Sequence, residues 1–347
     1  MPVNGTMRIA IVGAGLIGRR HIEIIGQCDG VSVASVTDPT DAAKQYAAKQ
    51  NLPWYPSITE MLAADRPDGV IVATPNQMHV QNGLECVAAG VPMLVEKPIA
   101  SDVASARQLV QAADKANVPL LVGHHRRHNP LIQEAKKRID SGEIGQIVAA
   151  HGICWFYKPD DYFNVKWRTE EGAGPVLINL IHDVDLLRHL CGEIASVQAI
   201  KSNRTRGFAV EDTAAIILHF ESGALGTVNV SDTVVAPWSW ELTAGENLAY
   251  PKTEQSCYTI GGTRGSLELP NGRVWTHPET QSWWDKIDCA PYSVPAQDPL
   301  VLQIQHFARV IQGQEAPLVS GHEGLRTLQV IEAIQQAAKS GGQVQIS

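Results

Sequence analysis

The chain has 347 residues, long for one hydrophobic core and ample for two, with ordinary apolar content and nothing in its composition that suggests disorder. Its 28 basic and 36 acidic side chains give a formal charge of -8, and short basic runs such as Arg126-Arg127 do not build into a dense Lys/Arg cluster, which argues against nucleic acid or an anionic membrane as a partner. The opening residues carry no signal-peptide pattern, no apolar run approaches membrane-spanning length, and six dispersed cysteines form no C-x-x-C, so the expectation is a soluble cytoplasmic protein with reduced thiols.

Residues 8–12 form a short apolar run rich in β-branched side chains, and it breaks into Gly13-Ala14-Gly15-Leu16-Ile17-Gly18. Apolar positions then take helical spacing through Ile22, Ile24 and Ile25, and a second β-like run over 31–36 leads to Asp38. Strand, glycine turn, helix and strand make a βαβ unit. Gly13 permits the tight turn, Gly15 lets the backbone approach a pyrophosphate, and Gly18 lets the helix lie close on the strand, with Leu16 and Ile17 carried on the same turn. Free N–H groups at the helix start favour phosphate. Asp38 can accept from both hydroxyls of an adenosine ribose and would repel a 2′-phosphate, so NAD is favoured over NADP. The glycine pattern alone also fits a plain strand-to-helix turn; the flanking elements and the carboxylate favour the dinucleotide.

A helix follows at 41–50, and Ser57-Ile58-Thr59-Glu60 is a capping-box pattern that opens another. Residues 69–73 read as a buried parallel strand that stops at Thr74-Pro75-Asn76. Ligands sit outside the C-terminal ends of such strands, so these three should border the cofactor. The pattern repeats: helix over 76–89, strand over 93–95 followed by Glu96-Lys97-Pro98, helix over 103–116 capped by Ser101, and strand over 119–122 ending in Gly123-His124-His125-Arg126-Arg127. This predicts a doubly wound parallel sheet, an α/β Rossmann domain over residues 1–125.

Beyond Pro130 the pattern changes. A helix over 131–141 leads into 147–155, then a loop of aromatic and charged residues, then a helix entered through Gly172-Ala173-Gly174-Pro175. Period-2 stretches follow at 196–202, 213–220, 225–231, 239–243 and 266–269, with Glu221-Ser222-Gly223 and Asn271-Gly272 as hairpin turns, and helices over 300–312 and 323–340 close the chain. Residues 126–347 are thus expected to form an α+β domain on a mostly antiparallel sheet.

Three groups carry candidate chemistry. Lys97 stands just past a buried strand, at the sheet edge that would hold the nicotinamide, and Pro98 keeps it out of α conformation. Its ammonium could stabilise a developing alkoxide, with partial burial moving its pKa toward neutrality; an ion pair with Glu96 fits the position equally well. In the helix after Pro175, apolar nearly all round, Asn179, His182 and Asp183 fall at i, i+3 and i+4 on one face. A polyhydroxylated substrate would satisfy that stripe, and His182 could take or relay its proton; a core histidine bonded to Asp185 or a carbonyl is the other reading. Trp155, Tyr157, Tyr162 and Trp167 offer flat faces to a sugar while Lys158, Asp161 and Arg168 could bond hydroxyls, although tryptophans also fill cores and interfaces. His124, His125 and His128 have no carboxylate at ligand spacing, and no metal is expected.

Taken together, these residues resemble the Gfo/Idh/MocA family of sugar and polyol oxidoreductases over nearly the whole chain. The likeness rests on the glycine turn, Ala73-Thr74-Pro75-Asn76 with His79, Glu96-Lys97-Pro98, His125-Arg126-Arg127 before Pro130, Trp167-Arg168, Gly172-Ala173-Gly174, His182 with Asp185, and Glu323-Gly324-Leu325-Arg326. It implies NAD(P) held by the first domain, with His79, Glu96, Lys97, His125, Trp167 and Arg168 added to the cofactor contacts. A substrate domain follows whose large open sheet often forms a homodimer or homotetramer interface, and catalysis falls to Lys97 and His182, with Asn179 expected beside them in the catalytic set. Tyr157, Asp161, Trp167, Asn179 and Asp183 complete the implied substrate set. Two positions depart from the family: Ile178 stands where an aspartate is common, leaving Asn179 as the nearest polar residue, and His125 stands where Asn is frequent. The expectation is an NAD-dependent dehydrogenase of a secondary alcohol on a sugar, polyol or cyclic diol. A redox-neutral NAD-using glycosidase and a non-catalytic dinucleotide-dependent regulator are the alternatives, the latter disfavoured by retention of Lys97 and His182.

Overall fold

A computed structural model describes residues 6–346. The chain divides into two compact units: one comprises the residues up to His128 and returns over 297–328, and the other comprises 129–296 and the residues from 329 onward.

In the first unit, strands alternate with helices as β1 (Met7–Val12), α1 (Leu16–Ile25), β2 (Val31–Thr37), α2 (Asp41–Lys49), β3 (Trp54–Tyr55), α3 (Ile58–Ala64), β4 (Gly69–Val72), α4 (His79–Ala88), β5 (Met93–Val95), α5 (Val103–Ala116) and β6 (Leu120–Val122). The six strands lie in the order β3-β2-β1-β4-β5-β6, and every pair is parallel. The order reverses about β1, which sets the C-terminal ends of β1 and β4 beside each other and creates the crevice that doubly wound sheets use for ligands. Local signals account for most of the helix starts. Thr40 and Ser57 accept from the backbone of Ala43 and Glu60, as a cap should. One cap differs from expectation: Asp102, not Ser101, accepts from Ser105 N at 2.8 Å and opens α5. Residues 76–78 form a 3-10 turn ahead of α4, so the expected single helix over 76–89 begins later.

The second unit runs through α6 (Pro130–Asp140), β7 (Ile147–Trp155), α7 (Pro175–Ile178), α8 (Leu180–Cys191), β8 (Ile194–Ser202), β9 (Thr213–Phe220), β10 (Leu225–Ser231), α9 (Trp240–Thr243), β11 (Tyr258–Gly262), β12 (Gly265–Leu269), β13 (Arg273–Thr276) and β14 (Asp288–Pro291). After them come α10 (Pro299–Ile311), which belongs to the first unit, α11 (Gly321–Ser340), which begins in the first unit and ends in the second, and β15 (Val344–Gln345). The nine strands form one sheet, β14-β13-β12-β11-β7-β10-β9-β8-β15, antiparallel except where β10 pairs with β7. One face of the sheet is buried: Val197, Ala214, Ile216, Leu218, Val228 and Val230 pack with Leu180, Ile181, Val184 and Leu187 of α8.

Further features differ from the sequence expectation. Within the expected strand at 239–243, residues 240–243 are helical because the Ser239 hydroxyl accepts from Leu242 N, and that cap overrides the alternating pattern. The buried helix after Pro175 is broken at Asn179 into α7 and α8. The segment 297–328 joins the first unit because Ile304, Phe307 and Val310 of α10 pack in one cluster with Ile9, Ile11 and Ile71 of its sheet.

Candidate active site

In the first unit, the glycine turn is fixed by contacts that a side chain could not make. Gly13 has φ +95°, and a Cβ on it would stand 2.6 Å from the Ala73 carbonyl oxygen; on Gly18 it would stand 1.9 Å from that of Gly13. A Cβ on Gly15 would meet nothing within 4 Å. Gly15 therefore faces open space at the start of α1, whose first N–H groups receive no side-chain cap. This cradle suits a diphosphate. Leu16 is 91% exposed and Ile17 is exposed beside it, two apolar side chains left at the same opening. The Gly18→Ala variant is expected to lose the melting-temperature rise that NAD gives and to be destabilised by about 1–3 kcal/mol. A normal melting profile with the NAD response intact would show that the close approach to Gly13 is not needed.

Asp38 follows β2 at the same C-terminal edge. Its Oδ2 accepts from Ala14 N at 2.9 Å, and its Oδ1 accepts from the Thr40 N–H at 2.9 Å and the Thr40 hydroxyl at 2.6 Å. Partial burial pushes its pKa up, but the bonds from Ala14 and Thr40 outweigh burial and hold the carboxyl below its ordinary value. The carboxylate is therefore ionised and fixed in direction, with lone pairs remaining for ribose hydroxyls.

Beyond β4, Thr74 donates its hydroxyl to Asn82 at 3.0 Å, Pro75 is exposed and Asn76 is half-buried. His79 is buried, with Nδ1 2.8 Å from the Pro98 carbonyl and Nε2 2.8 Å from the Thr74 carbonyl. Two carbonyl acceptors favour a doubly protonated ring, yet burial is the larger effect and draws the pKa below the ordinary histidine value. Either way the ring is spent on backbone: it ties the end of β4 to the loop after β5. Glu96 is buried at the end of β5, and Lys97 and His125 are half-buried at the same sheet edge. Burial pushes Glu96 up, but a hydrogen bond from His21 and the neighbouring positive charge outweigh it, and the carboxyl lies at about 2. The Glu96 carboxylate thus takes its partner from α1.

In the second unit, His182 and Asp183 lie in the first turn of α8, and the His182 N–H donates to the carbonyl of Asn179 at 3.1 Å. Asn179 is half-buried at the joint between α7 and α8, so its side chain does not continue the helical stripe. Asp183 is 1% exposed, and Oδ1 accepts a short hydrogen bond from the Tyr258 hydroxyl on β11. That carboxylate therefore faces the sheet. Tyr258→Phe is expected to lower unfolding stability by about 1–3 kcal/mol, because a buried carboxylate oxygen loses its donor. Denaturant unfolding measures this, and an unchanged midpoint would show that Asp183 does not depend on the tyrosine.

The loop after β7 separates into an exposed and a buried set. Tyr157, Asp161 and Trp167 are exposed. Arg168 donates to the Tyr162 carbonyl at 2.8 Å with its guanidinium 4.1 Å from the Tyr162 ring centre. Lys158 is buried, 3.6 Å from Asp232, which also accepts from Arg206 Nε at 2.9 Å. Burial draws the Lys158 pKa down. This lysine, a candidate for substrate hydroxyls from the sequence, is enclosed in an ionic network instead. Sequence reasoning did not pair His21 with Glu96 or Tyr258 with Asp183; the available signal was a histidine on the buried, otherwise apolar face of α1. Among the described residues, no cluster of three His, Cys, Asp or Glu side chains is placed to hold a metal ion, and no helix is long and apolar enough to cross a membrane.

Two family models match the chain: "Oxidoreductase family, NAD-binding Rossmann fold" over residues 7–124, and "GFO/IDH/MocA C-terminal domain" over 132–268. The chain is 27% identical to D-apiose dehydrogenase of Paraburkholderia graminis over 97% of this chain and 89% of that one. It is 25% identical to scyllo-inositol 2-dehydrogenase (NAD(+)) of Bacillus subtilis, over 98% and 96%. Among solved structures, the WlbA dehydrogenase of Bordetella pertussis, in complex with NADH and UDP-GlcNAcA, superposes with a TM-score of 0.79 at 26% identity, covering 99% of each chain.

Proposed function

Because the chain belongs to the Gfo/Idh/MocA family of NAD-binding oxidoreductases, we propose that it is a reversible dehydrogenase acting on a secondary alcohol of a sugar, polyol or cyclic diol. The observation that carries this reading is the placement of Lys97. It leaves β5 half-buried at the same C-terminal edge of the parallel sheet as the glycine turn after β1 and Asp38 after β2. Relatives that act on inositol and apiose support a polyhydroxylated substrate.

When bound, the nicotinamide supplies the hydride acceptor. Lys97, as an ammonium, hydrogen-bonds the reacting hydroxyl, favours its deprotonation and holds the nascent carbonyl oxygen. His182 accepts the hydroxyl proton, and Asn179 orients the substrate from the joint before α8. Tyr157 and Trp167 give apolar faces to the C–H side of the ring, and Asp161 bonds a hydroxyl. Asp183 keeps α8 in place through Tyr258. Ile200, Ile217 and Leu225 stand exposed on the face of the nine-stranded sheet opposite the core, and we assign that face to association into a homodimer or homotetramer in the cytoplasm.

The test is NADH formation with NAD across aldoses, polyols, inositols, sugar lactones and cyclic diols, each repeated with NADP. Turnover with NAD on one of them is expected. Silence across the panel, with NAD still raising the melting temperature, would overturn the dehydrogenase reading in favour of a regulator or a redox-neutral glycosidase.

A further inference from the structure

His21 has no part in the chemistry above, yet it is fully buried on α1, the helix that opens at Gly15. Its Nε2 lies 2.7 Å from Glu96 Oε1, and Nδ1 has no hydrogen-bond partner among the described residues. The polar contact of the ring is therefore with Glu96. The other oxygen of that carboxylate accepts the backbone N–H of Lys97 at 3.2 Å. On its far side, a Cβ at Gly123 would stand 2.8 Å from Oε2, so the chain leaving β6 closes the carboxylate in and leaves it little room to swing. One buried side chain thus joins the helix behind the glycine turn to the residue that bears the amine.

We propose that His21 and Glu96 are a positioning pair for Lys97: His21 fixes the carboxylate, which fixes the backbone of Lys97 and supplies the negative charge that keeps its amine protonated. The inference rests on the reading of Lys97 as the ammonium that polarises the substrate hydroxyl. Its physical basis is the cost of an ionised carboxylate away from water, which needs strong donors to stay charged. The titratable groups facing Glu96 are His21 from α1, Lys97 beside it in the chain, His125 from the turn after β6 and His79 from the start of α4. His21 makes the largest opposing contribution to burial. Without its N–H, the Glu96 carboxyl is shifted toward protonation and the negative charge beside Lys97 weakens.

The test compares His21→Leu, His21→Gln and Glu96→Gln with the parent enzyme. The glutamine at position 21 can bring an amide N–H near the place of Nε2, and Glu96→Gln keeps size and removes only charge. The titration of Lys97 is followed by NMR after reductive ¹³C-methylation, its resonance assigned by loss in Lys97→Met. Lys97 is expected to titrate at lower pH in His21→Leu and Glu96→Gln, and near the parent in His21→Gln. On unmodified protein, kcat is expected to fall about tenfold or more in the first two, with KM for NAD within about twofold. An unchanged Lys97 titration in both overturns the pair. If His21→Leu does not fold, Glu96→Gln and the glutamine rescue decide. The titration needs no turnover, so an enzyme silent on every compound counts against the dehydrogenase reading, while the Lys97 resonance decides on the pair.

Discussion

Replacing Lys97 by methionine is expected to lower kcat by about 10²–10⁴-fold while leaving the fold and the affinity for NAD close to the parent values. Methionine keeps the length and apolar stem of the side chain and removes only the ammonium. The backbone contact to Glu96 survives, because Glu96 Oε2 accepts from the backbone N–H of residue 97. His21 still holds Oε1, so the buried carboxylate keeps both donors. The glycine turn and Asp38 lie on other strands and are untouched. The loss should therefore appear in kcat and kcat/KM with little change in KM for NAD, the signature of an interaction made with the reacting oxygen rather than with the cofactor. Steady-state kinetics with the best substrate of the panel, beside an NAD titration by fluorescence, measure both quantities. Unchanged turnover would remove Lys97 from the mechanism.

What the sequence made legible were features in which the backbone itself demands a residue type. Gly13 and Gly18 are required by contacts of 2.6 and 1.9 Å to carbonyl oxygens, and that demand shows as a pattern. The ends of β4 and β5, and so Thr74 and Lys97, could be read because unbroken apolar runs stop there. Periodicity reveals which face of an element is buried but not what lies against it. For that reason α10 was legible as a helix, while its place in the first unit was not. The His21–Glu96 and Asp183–Tyr258 contacts each join residues 75 positions apart, and no local pattern records such a distance. The helix at 240–243 was hidden for the opposite reason: a local cap, the Ser239 hydroxyl on Leu242 N, overrode a plausible alternating pattern.

Asp38→Ala is the second large effect: NAD should bind about 10–100-fold more weakly, and NADP should lose far less. The carboxylate is held by Ala14 N on one oxygen and by Thr40 on the other, and these bonds keep it ionised. Ribose hydroxyls that donate to it lose a charged acceptor in the variant, whereas a 2′-phosphate is freed from a fixed negative charge. The same substitution leaves the Ala14 N–H without its acceptor, and loosening of the turn would weaken both dinucleotides alike. Asp38→Asn separates the two contributions, since its amide oxygen can still accept from one of these donors while the charge is gone. We expect Asp38→Asn to recover part of the NAD affinity and to tolerate NADP better than the parent. Isothermal titration of both dinucleotides against both variants resolves the matter. Equal weakening of NAD and NADP in Asp38→Ala would mean that the carboxylate fastens the glycine turn and does not read the ribose.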